Sequence, residues 1–448
     1  MTPRSRWSRR RRAATLLVAP ALLAACSVVP GSAHAPAVLL GRERVSEIVN
    51  GYAAGNRAFG YRNWEAAAEG FTRAYAFNAK DDVAAYLAAA SWARAERPDA
   101  ALEWLQRLVR SGSCLRPIAR SFAAIEGDPR FREADAALRA RAPTRHRASR
   151  AFVVAERDLV PEGIAWDPVE RVFYLSSLWK RKIVRVTPGA PGAPATAVDF
   201  VREGADALDA VVGLKVDAKR RRLWATSVAE PEMKGFTAED DGRSALHEYD
   251  LVSKALVRTI RPPGKSPHLL NDLALDAAGN VYVTDAASTE ILVLRAGSAE
   301  LETLVPKDNF VAPGGIVASE DGKHVWVADV ARGTFHVDTK TGRVAPLDQP
   351  AGLFPVGLNG LVHHEGTLIG ILNMSVGFVA RWRLSADAAS LGEGEILECG
   401  HPSFHLPTRG VVADGALYVV ANGQSDAVAN GALSADGLED IVILKLPL

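Results

Sequence analysis

Six short segments in the C-terminal two thirds of the chain begin alike, and a polar residue directly precedes four of them. The six preceding positions are Glu162, Val212, Asn271, Gly314, Asn359 and Arg409. A carboxylate, two amides and a guanidinium that met in one narrow space would need a ligand, a metal or one another, because an unpaired buried charge is costly. If these positions converge, we expect them to form a binding site.

A second polar set follows the next strand-like segment of each repeat. Its members are Ser177, Ser227, Asp285, Asp329, Asn373 and Asn422. The second strand of a hairpin returns to the edge where the first began, so this set should form an outer ring around the first. We expect Asp285, Asn373 and Asn422 to contact a ligand there, together with Arg409 of the inner set.

The repeated segments that position both sets read as strands that end at turns. They are Gly163–Asp167, Gly213–Asp217, Asp272–Asp276, Gly315–Ser319, Gly360–His364 and Gly410–Asp414, and they recur every 43 to 59 residues. Each interval is long enough for four short strands. Six antiparallel sheets that are apolar on both faces bury those faces best by stacking radially, so the sequence predicts an all-β six-bladed β-propeller over residues 152–448. Strands at 152–154 and 441–444 should pair to close the ring.

Residues 41–142 follow a different period, because their apolar residues recur at three and four positions as in amphipathic helices. Ala67 and Phe71 are matched 34 residues later by Ala101 and Leu105. This period resembles the tetratricopeptide repeat and predicts a small all-α helical-repeat domain before the propeller. Two repeats offer little concave surface, so packing on the propeller is favoured, and binding of a protein partner is the alternative.

The first 25 residues have the order of an export signal, with six arginines ahead of an apolar run over residues 13–25. That run is shorter than the roughly 20 residues that span a bilayer. Leu23-Ala24-Ala25-Cys26 resembles the bacterial lipobox, which predicts a lipoprotein signal peptide over 1–25, lipidation of Cys26 and a linker over 26–40. Cleavage after Ala33-His34-Ala35 and ordinary secretion is the alternative.

We therefore expect an exported lipoprotein that a lipid anchors to the membrane, facing the periplasm or the cell exterior. The full chain has 53 basic and 52 acidic residues, a net charge of +1. Removal of the six arginines of the signal peptide changes the net charge to about −5. The phosphate backbone requires clustered basic charge, so nucleic-acid binding is disfavoured. If Cys26 carries lipid, only Cys114 and Cys399 remain, and isolated cysteines are more often buried apolar groups than a disulfide.

Three segments of the propeller region resemble the senescence marker protein and gluconolactonase family, the regucalcin-like six-bladed propellers. They are Pro161-Glu162-Gly163, Leu270-Asn271-Asp272 and the run from Asp276 through Gly279, Asn280 and Tyr282 to Asp285. The resemblance extends loosely over residues 152–448. It implies a divalent cation, calcium or zinc, in the channel and lactonase activity in several members. Glu162 would be the metal carboxylate, and Asn271 a metal or substrate contact.

Two other segments depart from that family. Pro313-Gly314-Gly315 and Leu358-Asn359-Gly360 stand where the family tends to have Pro-Asn-Gly and Pro-Asp-Gly. Calcium prefers six to eight oxygens including several carboxylates, and the matched positions supply one. Asp272, Asp285 or Asp329 could complete the set. Arg409 could instead pair with Glu162 and remove the need for a metal. The mouth of the propeller, the end of its central channel where these residues converge, would then be a receptor for an anion or sugar acid.

These observations support three hypotheses about function. In the first, a small-molecule lactone or ester is hydrolysed, with the ion held by Glu162, Asn271 and Asn359 and with Asp272 or Asp329 as the base. In the second, the mouth binds a small-molecule ligand without catalysis. In the third, the protein is a scaffold of the cell envelope that acts through its helices and the propeller rim.

Overall fold

The computed structural model describes residues 42–189, 194–265, 267–348, 353, 357–429 and 431–448. The expected signal peptide over 1–25, the lipidation site at Cys26 and the linker over 26–40 lie outside the described residues. None of the helices in the described ranges combines the length and the apolar character that a membrane crossing requires.

Helices occupy the N-terminal part of the described chain. They are α1 (Arg42–Gly60), α2 (Trp64–Phe77), α3 (Asp82–Arg94), α4 (Pro98–Ser111), α5 (Ala119–Phe122) and α6 (Pro129–Arg141). Asn63 and Asp81 begin α2 and α3 by accepting hydrogen bonds from backbone N–H groups of the first turn. The pair α1 and α2 approaches closely at Gly55 and Gly70, where a Cβ on Gly70 would lie 2.4 Å from the Gly55 nitrogen.

Twenty-four of the described strands form six antiparallel four-stranded sheets, so the predicted six-bladed propeller is confirmed. Blade 1 contains β2 (Ile164–Asp167), β3 (Val172–Ser177), β4 (Lys182–Thr187) and β5 (Thr196–Val201). Blade 2 contains β6 (Ala210–Asp217), β7 (Arg222–Val228), β8 (Ser244–Asp250) and β9 (Leu256–Ile260). Blade 3 contains β10 (Leu270–Leu275), β11 (Val281–Asp285), β12 (Glu290–Leu294) and β13 (Glu302–Val305).

The remaining blades follow in chain order. Blade 4 contains β14 (Pro313–Ala318), β15 (His324–Asp329), β16 (Gly333–Asp338) and β17 (Val344–Pro346). Blade 5 contains β18 (Leu358–His364), β19 (Thr367–Leu372), β20 (Phe378–Leu384) and β21 (Leu391–Cys399). Blade 6 contains β22 (Gly410–Ala413), β23 (Ala416–Val420), β26 (Ile441–Pro447) and β1 (Ser149–Val154), and a separate hairpin joins β24 (Val428–Ala429) to β25 (Ala432–Leu433).

The ring closes in blade 6, where β26 lies between β23 and β1. Phe152 pairs with Ile443 and Val153 with Val442, so the predicted closure by the first and last strands is confirmed. β26 therefore has a partner strand on each side, and β1 forms the outer edge of blade 6.

Side-chain hydroxyls tie each of blades 1 to 3 to the next blade. Each hydroxyl accepts a hydrogen bond from a backbone N–H at the innermost strand of its own blade and donates one to a carbonyl at the innermost strand of the next blade. The hydroxyls are those of Ser176, Thr226 and Thr284, and the N–H groups are those of Gly163, Gly213 and Asp272. The matching positions in blades 4 to 6 are apolar: Ala328, Ile371 and Val419. Hydroxyl contacts near the axis therefore join the blades of the first half of the ring, and apolar side chains occupy the matching positions in the second half.

The helical domain packs on the loops that follow the second strands of blades 4 and 5. Asn78 Nδ2 donates to the Ala331 carbonyl at 3.1 Å, and the backbone N–H of Arg116 donates to Ser375 Oγ at 2.7 Å. Apolar residues of the helices and of both blades form one buried cluster. Packing on the propeller, the favoured interpretation of this domain, is what these contacts show.

Candidate functional site

The polar residues that precede the innermost strands meet around the propeller axis, and Arg409 is at their centre. Its Nη2 donates to Asn271 Oδ1 at 2.5 Å, and its Nη1 donates to the Asn359 carbonyl at 3.0 Å. Nη1 also lies 3.0 Å from Asp272 Oδ2, and Nη2 lies 3.8 Å from Glu162 Oε1. Only 3% of Arg409 is exposed.

Irregular pairing at the start of the innermost strands helps to place these side chains. The register of β10 with β11 shifts between Leu270 and Leu273, and similar shifts occur at the start of β6, β14 and β18. A bulge re-aims the side chains that it carries, so the adjacent Asn271 and Asp272 both reach the Arg409 guanidinium. Alternation along a regular strand would send them to opposite faces.

Glu162 lies at the other side of the guanidinium. Its Oε1 accepts a hydrogen bond from Asn359 Nδ2 at 2.9 Å. Burial raises the pKa of Glu162, while Arg409 and the Asn359 hydrogen bond act in the opposite direction. The predicted metal ligands Glu162, Asn271 and Asn359 are thus brought together, but around a side-chain cation.

This arrangement does not fit a divalent cation. Of the three predicted ligand side chains only Glu162 is a carboxylate, and the Asn271 oxygen already accepts from Arg409. Within the described ranges, no group of three or more His, Cys, Asp or Glu side chains is arranged to hold a metal. Asp272, one of the acids named to complete the ligand set, is paired with Arg409 instead.

Asp272, a predicted catalytic base, is buried and engaged on both oxygens. Oδ1 accepts from the Leu273 N–H at 2.9 Å, and Oδ2 accepts from the Ile316 N–H at 3.4 Å in addition to its contact with Arg409. Lys215 Nζ lies 3.9 Å from Oδ1. Asp272 therefore lies between two cationic side chains, Arg409 and Lys215.

The outer set lies behind this ring, and its acids hold turns. Asp329 accepts hydrogen bonds from four backbone N–H groups, and burial raises its pKa. Asp285 accepts from three backbone N–H groups and from His268 Nδ1 at 2.5 Å. Asn422 bonds the backbone of Asp440 and Val442. Their predicted catalytic and ligand-binding roles stay predictions, and Asn373 lines a separate cavity.

Two long loops cover part of the mouth. The loop after β7 meets the loop after β23, and the Gly431 N–H donates to the Pro231 carbonyl at 2.7 Å. Met233 of the first loop and Val428 of the second are buried in one apolar cluster with the rim residue Val212. The inner polar ring, where the sequence predicts a binding site, is therefore buried.

The first of these loops carries two buried acids that the sequence analysis missed. Glu230 and Glu232 are nearly inaccessible, and Glu230 Oε1 and Glu232 Oε2 have no hydrogen-bond partner in the described part of the chain. Burial raises the pKa of Glu232 to about 7. Burial, then Glu232 and Glu162, raise the pKa of Glu230. The one sequence signal was two acids set among apolar residues between Val228 and Met233.

A cavity of about 310 Å³ lies between the helical domain and blades 5 and 6. It is lined by residues of both parts, among them Arg116, Arg120, Asn373, His401, Phe404 and His405. The sequence analysis predicted a ligand contact for Asn373 but missed the other five. They lie in segments far apart in the sequence, and no motif connects them.

Comparison with solved structures finds propellers of low sequence identity. The chain is similar to the major allergen Mala s 1 of Malassezia sympodialis, with 19% identity, a TM-score of 0.48, and coverage of 67% of this chain and 96% of the other. It is also similar to regucalcin, a calcium-binding protein from Agrobacterium tumefaciens, with 16% identity, a TM-score of 0.44 and coverage of 66% and 93%.

A third similar structure is a luciferin-regenerating enzyme, with 15% identity, a TM-score of 0.41 and coverage of 67% of this chain and 92% of the other. No protein-family model matches the sequence, and no curated protein matches it either.

Proposed function

We propose that this chain is an exported, lipid-anchored propeller that binds a small molecule and needs no divalent cation at its centre. The observation that carries the metal-free centre is the position of Arg409. Its guanidinium contacts Asn271 and Asp272 directly and lies within ion-pair distance of Glu162. A fixed internal cation therefore supplies the positive charge that a metal ion would otherwise supply.

The charges around Arg409 support this interpretation. Two carboxylates face one guanidinium, and Lys215 lies on the far side of Asp272. A calcium ion would have to displace Arg409 from this cluster, and the displaced guanidinium would lose its partners in a buried position. The metal-free arrangement is the more stable one.

The test is a titration of the chelator-treated full-length protein with calcium and with zinc, followed by calorimetry. We expect no saturable binding at the centre, and no lactone turnover that is lost on addition of a chelator. Stoichiometric binding of either ion that Glu162→Gln abolishes would contradict the proposal. Glu170→Gln is the matched control, because Glu170 is a surface acid of blade 1 whose partners are Arg185 and Arg221.

Hydrolysis of a lactone or ester is the second candidate, and the buried Glu162 favours it. Burial raises the pKa of Glu162, and a carboxyl with a raised pKa is better suited to donate a proton during catalysis. Substrate could reach it only after the loop that carries Glu230 and Met233 moved aside, because the inner ring is buried. Turnover that Glu162→Gln abolishes and Glu170→Gln leaves unchanged would favour hydrolysis over binding alone.

The lipid anchor is tested separately through Cys26. In a bacterial host, we expect the full chain to incorporate labelled palmitate and to sediment with membranes. Cys26→Ser should lose the label and move the protein to the soluble fraction. An unlabelled soluble product that begins at Pro36 would show ordinary secretion instead.

A further inference from the structure

Basic side chains line the cavity between the helical domain and blades 5 and 6. Arg116 and Arg120 line it from the helical side, and His401 and His405 line it from the propeller side, although burial lowers the pKa of His401. No carboxylate is among the described residues that line it. A concave site with one sign of charge attracts a ligand of the opposite sign.

Arg116 is the strongest reason to expect an anion. Only 5% of the residue is exposed. Its Nη1 donates to the Ala142 carbonyl and to Thr144 Oγ1, both at 3.2 Å, and contacts Cys399 Sγ at 3.8 Å. Its Nε has no hydrogen-bond partner in the described residues. All of these partners are neutral, because burial raises the pKa of the Cys399 thiol.

A buried guanidinium without a carboxylate is an incomplete pair. Transfer of an unpaired charge from water costs far more than the neutral hydrogen bonds of a carbonyl and a hydroxyl return. Asp426, an acid behind the lining, is already engaged, since it lies 3.0 Å from His405 and 3.6 Å from Arg120. Glu398, which precedes Cys399, is engaged as well, because it accepts from the N–H groups of Arg147 and Ala148. The charge of Arg116 is left for a ligand to neutralise.

The rest of the lining limits what the ligand can be. Phe404, Leu406 and Val376 form apolar walls, and Asn373 contributes an amide. The volume of about 310 Å³ is at the lower end of the range for small-molecule sites. A molecule with one anionic group and an apolar body satisfies both the guanidinium and the walls.

We propose that this cavity binds a small organic carboxylate whose anionic group pairs with Arg116 and whose apolar part packs against Phe404. The proposal deepens the ligand-binding function proposed above, and it does not depend on the state of the central channel. A planar carboxylate matches the guanidinium through two parallel hydrogen bonds, which favours it over a spherical anion.

The test is calorimetry of the full-length protein with benzoate, with its uncharged analogue benzamide and with inorganic phosphate, at constant ionic strength. We expect benzoate to bind at least about tenfold more tightly than benzamide, because a hydrogen bond between two charged groups is stronger than one to a neutral amide. Equal binding of benzoate and benzamide, or no binding of benzoate, would overturn the proposal. Tighter binding of phosphate would overturn the assignment to a carboxylate.

Variants locate the site. Arg116→Gln should reduce benzoate affinity at least about tenfold, whereas Arg139→Gln, which removes an exposed arginine from the same domain, should leave it unchanged. If Arg116→Gln does not fold, Phe404→Ala and a crystal structure with benzoate decide the question. Benzoate density at Arg409 or elsewhere overturns the proposal. Metal binding at the centre together with benzoate binding at Arg116 would contradict only the absence of a central cation.

Discussion

Two guanidiniums are almost completely buried in the part of the chain that the structure describes, and their surroundings differ in one respect. Arg409 meets the carboxylates of Asp272 and Glu162 at the propeller axis. Arg116, between the helical domain and the propeller, meets a carbonyl, a hydroxyl and a thiol. One charge is neutralised by the fold itself, whereas the other is not.

The difference teaches how to distinguish a structural charge from a functional one. Burial removes the hydration of both guanidiniums, which costs free energy. Only at Arg409 do nearby carboxylates offset this cost by electrostatic attraction. A neutralised buried charge fixes the positions of its partners, so we assign Arg409 to the stability of the ring. An unneutralised charge beside a cavity is available to a ligand, so we assign Arg116 to binding.

The largest effect should come from breaking the neutralised pair. Arg409→Met leaves Glu162 and Asp272 buried near each other without their cation, and we expect a loss of about 3–5 kcal/mol in unfolding free energy. Arg116→Met orphans no carboxylate and should cost less in the absence of ligand. Urea denaturation of both variants measures the contrast. Equal losses would remove the distinction between the two sites.

The two buried acids of the loop after β7, Glu230 and Glu232, should make the stability of the protein depend on pH. Burial raises the pKa of Glu232 from 4.5 to about 7, so between those values the folded state keeps a proton that the unfolded state has lost. Stability should therefore fall as the pH rises from 4.5 to 7, by up to about 1.4 kcal/mol per pH unit. Glu232→Gln should flatten this slope. Glu239→Gln, at an exposed acid of the same loop, should retain it, and an unchanged slope in Glu232→Gln would contradict the assignment.

The hydroxyl contacts that join blades 1 to 3 to the next blade allow a test of their contribution to stability. Thr284→Val removes the acceptor of the Asp272 N–H and the donor to the Gly314 carbonyl, and should cost about 1–3 kcal/mol. Thr334→Val is the matched control, because the Thr334 hydroxyl is buried without a partner in the described residues and its loss should be neutral or stabilising. Thermal denaturation compares the two. A loss in Thr334→Val as large as that in Thr284→Val would count against the polar contacts.

The smallest effect should come from the backbone anchor of Arg116. Ser375 Oγ accepts from the Arg116 N–H and donates to its carbonyl, at 2.7 and 2.6 Å. We expect Ser375→Ala to cost about 0.5–1.5 kcal/mol and to weaken benzoate binding only a few-fold, since the guanidinium itself is retained. Denaturation and calorimetry on one preparation test this. A loss of benzoate affinity as large as in Arg116→Gln would assign recognition to the loop rather than to the charge.

The propeller could be predicted from the sequence because its repeats carry the information locally. Segments such as Gly163–Asp167 and Gly410–Asp414 begin alike, so their preceding residues had to occupy equivalent places around an axis. Convergence of Glu162, Asn271, Asn359 and Arg409 followed from that symmetry. The pairing of Arg409 with Glu162 was one of two alternatives, and the sequence could not choose between them, because the choice depends on how far side chains reach across the ring.

The cover over the mouth and the second cavity could not be predicted from the sequence. Met233 and Val428 lie in irregular loops of different blades, and no periodicity relates them. Arg116 follows Leu115 and precedes Pro117 in a stretch without any motif, and its importance comes only from what the fold places beside it. Such information is tertiary: burial and the absence of an opposite charge are properties of a position in space.

The closure of the ring by β1 and β26 sets a condition on how the protein is made. The strand next to the helical domain obtains its partner only when β26 has been synthesised, after the other strands of all six blades. Sheets whose partners are distant in sequence form slowly, so blade 6 should be the last blade to complete. A chain that crosses a membrane unfolded would gain from that delay, since the ring cannot close before β26 has passed.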